Sequence, residues 1–393
     1  MHYINQCLEP GRILNYRDSI SRKSSIIENN GTDHSAKQAG MIELQLTDKC
    51  NLNCFHCHFR DKGDVFFNKE WLKIVTDEVQ PKAISLAGGG EPTLYPNFSE
   101  TIQFLKNGKS NPDIGLITNG VIIPEGDWIK SIAWLRVSLY SVVNDYYAGK
   151  NPIAQKLVIK NIERYMQMDE LNMLGVSLLY YNDNLVDCIK LAYDLFRMLV
   201  KSGRAYDRFN LQFKRAFTMS DPRNLTIETH HENLNLLPLP QTVRLAIAYK
   251  EMYTINDKAF GKFLDTCSNY RQIERLMHGG LNLAIEQTNP KVKSPDNFKA
   301  CYAVLENRLI TPDGYVYACP SIAENRDTSW AIAHITDNEV AFCENVAKFY
   351  HCEPKWCNKR FCRHTSHNEL VRRYIEQGNL PVYDKAILKD YFF

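Results

Sequence analysis

From Met41 onward, short apolar, β-rich runs alternate with segments whose apolar residues recur every three or four positions. Six runs have strand character: Ile42 to Thr47, Ala83 to Ala87, Ile114 to Thr118, Leu135 to Tyr140, Gly175 to Tyr180 and Phe209 to Lys214. Between them, Glu70 to Val79, Phe98 to Leu105, Leu157 to Met166 and Leu185 to Val200 carry helical spacing. Repeated βα units predict an α/β protein with a parallel sheet. An open doubly wound sheet and a barrel both satisfy this pattern, and periodicity alone does not separate them. After Phe217 the alternation stops. Residues 218–240, with Asp221-Pro222, His230-His231 and Leu237-Pro238-Leu239-Pro240, read as an irregular connection, followed by helical patterns at Leu245 to Tyr253 and Ala259 to Leu276. The first forty residues are polar, without sustained periodicity, and read as a surface extension.

Composition narrows the class. The 393 residues are 44% hydrophobic and 23% charged, which excludes disorder, collagen and coiled coil. A net charge of +2 lacks the basic excess of a chain built to track phosphates, so nucleic acid is not expected as a main partner. No apolar run approaches the roughly 20 residues that span a bilayer, and the opening Met-His-Tyr-Ile-Asn-Gln-Cys is not a signal peptide. A cytoplasmic protein is expected. Its 12 cysteines are far too sparse for a disulfide scaffold, so their placement carries the information.

Three of them, Cys50, Cys54 and Cys57, fall within eight residues directly after the first strand. Loops at the carboxyl ends of strands are where α/β sites are built. Three thiolates are one short of a closed zinc or iron-sulfur site, so a metal held there keeps a coordination position for chemistry. A structural zinc knuckle completed by His56 or His58, or plain core cysteines, is the competing reading.

The arrangement Cys50-x3-Cys54-x2-Cys57 resembles the signature of the radical S-adenosylmethionine superfamily. One departure is His56 immediately before the third cysteine, where the family usually has an aromatic residue; Phe55 lies one earlier. The resemblance implies that these cysteines hold a [4Fe-4S] cluster whose fourth iron chelates S-adenosylmethionine. It extends along the following strands. Gly88-Gly89-Gly90-Glu91 after the second strand is similar to the family's Gly-Gly-Glu motif, which implies that Gly89, Gly90 and Glu91 bind the methionine amino group. Thr118, Asn119 and Ser138, at the ends of the third and fourth strands, are implied to position the ribose and methionine moieties. Read alone, the glycine run and Asn119-Gly120 are ordinary turns, Ser138 an ordinary strand serine and Lys150 an exposed loop lysine. Together they imply the partial (β/α)6 barrel of this superfamily over residues 41–217.

Near the other end, Cys301-x12-Gly314-x4-Cys319 flanks a Pro312-Asp313-Gly314 turn that predicts a hairpin, and Cys343, Cys352, Cys357 and Cys362 follow. A structural four-cysteine zinc ribbon and an iron-sulfur site both suit such spacing. The pattern resembles the SPASM and Twitch extensions of radical S-adenosylmethionine enzymes, although the downstream gaps are four and four residues rather than two, five and three. By that resemblance Cys301 and Cys319, with two of Cys352, Cys357 and Cys362, ligate one auxiliary [4Fe-4S] cluster. Two such clusters would need more thiolates than the segment supplies. Cys7, Cys188 and Cys343 read as bystanders. The organisation is thus residues 1–40 as extension, 41–217 as barrel, 218–295 as helical or irregular connection and 296–393 as auxiliary-cluster domain.

The resemblance implies an oxidoreductase that forms a 5'-deoxyadenosyl radical, abstracts a substrate hydrogen and draws electrons from a donor such as flavodoxin or ferredoxin. A ribosomally made peptide is the expected substrate, with a carbohydrate, aminocyclitol or nucleoside as the alternative and a non-catalytic zinc protein as a more distant one. Forty residues are too few for a winged-helix leader-binding domain, so a peptide substrate implies a separate leader-binding protein. Candidate substrate contacts are Tyr180, Tyr181, Lys214, Arg215, His230 and His231.

Overall fold

A computed structural model describes residues 36–52, 54, 57, 63–140, 152–180, 185–215, 218–219, 227–228, 258–267, 301, 303–323 and 326–351. Strands β1 (Met41–Leu44), β2 (Ala83–Leu86), β3 (Asp113–Thr118), β4 (Ile132–Tyr140), β5 (Leu174–Tyr180) and β6 (Phe209–Arg215) match the six expected runs. They lie side by side in chain order, each parallel to the next. A doubly wound sheet reverses its order at a switch point; this one does not. Successive right-handed crossovers in one direction put the connecting helices on one side, which is the barrel arrangement. Those helices are α1 (Trp71–Ile74, continued by a π turn at Val75–Val79), α2 (Phe98–Lys106), α3 (Pro152–Met166) and α4 (Leu185–Ser202).

The two faces of the sheet differ in chemistry. Facing the helices are columns in register: Ile42, Ile84 and Ile114; Leu44, Leu86 and Leu116; Leu135, Leu174 and Phe209; Val137, Val176 and Leu211; Leu139, Leu178 and Phe213. All are buried, each contributing roughly 1.5–3 kcal/mol of hydrophobic stabilisation. On the opposite face Glu43 aligns with Ser85 and Gly115, Arg136 with Gly175 and Asn210, and Ser138 with Ser177 and Gln212. Ser177 donates to Oε1 of Gln212 at 3.1 Å. The strands therefore alternate apolar and polar side chains, and the inner face of the partial barrel is polar.

The sheet does not end at β1. A helical turn at Ala303–Glu306 leads into β9 (Asn307–Ile310), which pairs parallel with β1, Met41 opposite Asn307 and Leu44 opposite Ile310. The Pro312-Asp313-Gly314 turn sends β10 (Tyr315–Tyr317) back antiparallel, and β11 (Ala333–His334) brings the sheet to nine strands among the described residues. Helix α6 (Glu339–Tyr350) follows, capped by Asn338, whose side chain accepts the Ala341 N–H at 2.9 Å.

Two expectations change. Within the segment read as irregular, β7 (Thr218–Met219) and β8 (Ile227–Glu228) form a short antiparallel pair. Helix α5 (Lys258–Thr266) forms the start of the second helical pattern, and near its end the Thr266 hydroxyl and Cys267 thiol both donate to the Phe263 carbonyl. Residues from 268 onward in that pattern, and Leu245 to Tyr253, lie outside the described residues. The last residues of the polar N-terminal segment are also not a surface extension: Ala36, Lys37 and Ala39 are buried. Lys37 pairs with Glu78 at 2.8 Å, its N–H bonds Glu339 at 2.9 Å, and the Ala36 carbonyl accepts from Arg308 at 3.1 Å. Among the described residues, no helix is long and apolar enough to cross a membrane.

Candidate active site

Past Leu44 the chain leaves the strand ladder and becomes the cysteine loop. Its root is fixed by three bonds to residues 65–67: the Thr47 hydroxyl and the Asp48 N–H each donate to the Val65 carbonyl at 2.9 Å, and the Phe67 N–H donates to the Leu46 carbonyl at 2.8 Å. Cys50 is exposed, Cys54 buried and Cys57 intermediate. The Leu52 N–H points at Cys50 Sγ at 3.4 Å, and the Cys57 N–H bonds the Cys54 carbonyl at 3.0 Å. Partial burial of its sulfur raises the Cys50 pKa above the ordinary thiol value, and the Glu91 and Cys57 charges add to this. Those two residues are therefore within electrostatic reach of Cys50. Among the described residues, no three His, Cys, Asp or Glu side chains converge into a closed metal cage.

The glycine loop after β2 packs directly on this root. Gly90 donates to the Thr47 carbonyl at 2.6 Å and Glu91 to the Lys49 carbonyl at 2.8 Å. Contact is so close that a Cβ on Gly90 would sit 1.9 Å from the Lys49 oxygen, and Gly89 has φ +63°, so both positions call for glycine. Glu91 is 3% exposed. Its Oε1 accepts from the Thr118 hydroxyl at 2.6 Å, the Thr93 hydroxyl at 2.7 Å and the Thr93 N–H at 3.2 Å, and its Oε2 from the Asn119 N–H at 2.7 Å. Burial pushes this carboxyl's pKa up while the four donors pull it down. Asn119 closes the circle: its Nδ2 donates to Asn51 Oδ1 at 2.7 Å and lies 3.8 Å from Cys50 Sγ.

Cys50, Gly90, Glu91, Thr118 and Asn119 thus come together from three βα loops. Ser138 stands on the polar inner face, in register with Ser177. Cys301 and Cys319 are elsewhere. Because β9 runs with β1, both flank the amino end of β9, whereas the cysteine loop follows the carboxyl end of β1. The Cys301 N–H bonds the carbonyl of Tyr350, at the end of α6, at 2.7 Å. Cys188, Cys267 and Cys343 are buried. Tyr180, Lys214 and Arg215 occupy the carboxyl ends of β5 and β6. Cys7, Lys150, Tyr181, His230, His231, Cys352, Cys357 and Cys362 lie outside the described residues.

Sequence reading missed two features. Arg136, on the inner face of β4, is desolvated enough to lower its pKa to about 10 and has its guanidinium carbon 5.7 Å from the Trp134 ring centroid. The strand alternation could have revealed it. Asp48 is paired with Arg326 far along the chain, and no local pattern marks Arg326.

Residues 44–142 match the family model of the Radical SAM superfamily, a span that holds all three cysteines of the loop and the glycine and Asn119 loops. Over that span the chain is similar to a radical SAM domain. The domain takes a [4Fe-4S] cluster and S-adenosylmethionine as its cofactors. Three thiols on one loop, with a tight glycine cradle and an amide beside them, fit that pair of ligands.

A probable GTP 3',8-cyclase of Methanococcus maripaludis is 34% identical over 97 residues, 23% of this chain; the match spans about a third (32%) of that relative. The GTP 3',8-cyclase of Clostridium perfringens is 22% identical over 304 residues, covering 73% of this chain and 82% of the relative. Among solved structures, Streptococcus suis SuiB bound to precursor peptide SuiA aligns over 83% of this chain and 68% of its own, at 14% identity and TM-score 0.45, a level of likeness that identifies no substrate.

Proposed function

We propose that this radical SAM protein is an oxidoreductase in which Cys50, Cys54 and Cys57 hold the [4Fe-4S] cluster and the Gly89–Gly90 backbone, Glu91, Thr118, Asn119 and Ser138 shape the S-adenosylmethionine pocket. The observation that carries this reading is the bonding of the glycine and Asn119 loops to the root of the cysteine loop. The bound cluster would supply one electron to S-adenosylmethionine, splitting it into methionine and a 5'-deoxyadenosyl radical that takes a hydrogen atom from the substrate. The chain's own residues fix the loop, exclude water from its root and place substrate against the cofactor.

Residues 296–393 act in this reading as an auxiliary-cluster domain. Cys301, Cys319 and two of Cys352, Cys357 and Cys362 bind a second [4Fe-4S] cluster that accepts or relays an electron from the substrate radical, giving net oxidation. The Cys301–Tyr350 bond supports it, because α6 ends there, just before Cys352 in sequence. An iron-sulfur enzyme with free thiols suits the cytoplasm, with flavodoxin or ferredoxin as donor.

In this reading the substrate is a ribosomally made peptide; the SPASM/Twitch-like cysteine pattern supports this. A second reading, a nucleotide, is favoured by the GTP 3',8-cyclase similarity over most of that relative's length. The polar inner face, with Arg136, Ser177 and Gln212, suits a polar group in either case.

Anaerobic purification followed by iron, sulfide and zinc analysis tests the assignment, with about eight irons per chain expected for two clusters and 5'-deoxyadenosine formed under reducing conditions. Stoichiometric zinc without deoxyadenosine would overturn it. Consumption of GTP selects the nucleotide, whereas modification of a short peptide encoded beside the gene selects the peptide.

A further inference from the structure

We propose that Arg326 is a positioning residue that braces the first cysteine loop from the C-terminal part of the chain. Its Nη2 pairs with Asp48 Oδ1 and donates to Gln45 Oε1 at 2.8 Å, while Nη1 lies 3.6 Å from Asp313 Oδ1. The Arg326 and Asp48 side chains are 11% and 6% exposed, so the attraction acts where water screens it little. Breaking such a pair leaves a buried charge without its counterion, which costs far more than loss of a surface pair. The backbone at Arg326 has φ +54°, a left-handed conformation that arginine adopts only when its surroundings impose it.

What makes this more than a stabilising pair is where Asp48 sits. It lies between Thr47 and Lys49, whose carbonyls receive the N–H groups of Gly90 and Glu91, and two residues before Cys50. A shift of Asp48 therefore moves both the glycine loop and the start of the cysteine loop. Asp313, the other anion facing Arg326, belongs to the hairpin turn between Cys301 and Cys319. One guanidinium thus holds the two cysteine-bearing parts of the chain in a fixed relation, and the geometry of the first loop depends on docking of the second. The brace concerns the loop itself; it rests on the assignment of Cys50, Cys54 and Cys57 as cluster ligands only for the iron measurement below.

The test is hydrogen exchange by mass spectrometry on the full chain, metal-free and reconstituted, for Arg326→Met and Arg326→Lys. Loosening of the local structure in the Met variant speeds exchange in peptides covering 46–52 and 88–91 by about tenfold or more, with β5 and β6 unchanged; the Lys variant recovers part of the protection. Iron leaves the reconstituted Met variant faster in a chelator challenge. Unchanged exchange in both loops overturns the brace, and so does acceleration spread evenly over the chain, which would mark a general stability effect. Asp48→Asn, which preserves shape, guards against a misfolded arginine variant: combined with Arg326→Met it should add little to either single change, and full additivity overturns the coupling. If no form retains iron while the exchange pattern follows expectation, the cluster assignment fails and the brace stands.

Discussion

The Thr118 hydroxyl donates to Oε1 of Glu91 across 2.6 Å, tying the end of β3 to the glycine loop after β2. Glu91 gathers three further donors, so it acts as the knot between the two loops. Replacement by glutamine keeps the oxygen that serves Thr93 and Thr118 but turns an amide N–H₂ toward the Asn119 N–H. Glu91→Gln should lower the unfolding free energy by about 1–3 kcal/mol, the cost of one orphaned buried donor, and Glu91→Ala by more. Urea denaturation of the full chain reads both, and equal effects would contradict the four-donor picture.

Asn119 reaches the cysteine loop through its amide. Outer-shell hydrogen bonds to thiolate ligands tune a bound cluster, and their loss typically costs about 10–100-fold in activity or metal affinity. Asn119→Ala is expected to lower deoxyadenosine formation within that range and to make the reconstituted cluster harder to reduce. A redox titration that leaves the potential in place would show that the amide serves Asn51 alone.

Gly90 is the tightest contact between the two loops. Gly90→Ala should push the glycine loop off the Lys49 carbonyl, costing about 1–3 kcal/mol of overpacking strain and weakening S-adenosylmethionine binding by calorimetry. Unaltered binding would mean that the loop yields without disturbing the pocket.

Cys301 and Cys319 stand at the other end of the strands from the Cys50 loop, so substitutions in the two should separate. Cys54→Ala is expected to abolish deoxyadenosine formation. Cys319→Ala should leave that cleavage largely intact, impair product formation and drop iron from about eight to about four per chain. The reverse pattern would exchange the assignments of the two sites.

The barrel strands were readable because Leu135, Val137 and Leu139, like Leu174, Val176 and Leu178, alternate with smaller or polar neighbours at the period of a pleated strand. Chain order in the sheet followed once Cys50, Gly90, Asn119 and Ser138 were seen at successive strand ends. Other features escaped for physical reasons. Parallel pairing of β9 with β1 has no local signature, since strand partners are chosen by edges left open in the folded sheet. Arg326 was invisible because its partners, Asp48 and Gln45, come from the opposite part of the chain, and a lone arginine in a polar stretch carries no pattern.

The pairing of Met41 with Asn307 also dictates an order of assembly. During synthesis β1 leaves the ribosome early and can pair with β2, but its other flank stays open until most of the chain has been made. An unsatisfied strand edge of this kind is a template for pairing with other chains. A truncated product ending before residue 307 would therefore expose the root of the cysteine loop and a sticky edge together, linking completion of translation to both solubility and cofactor loading.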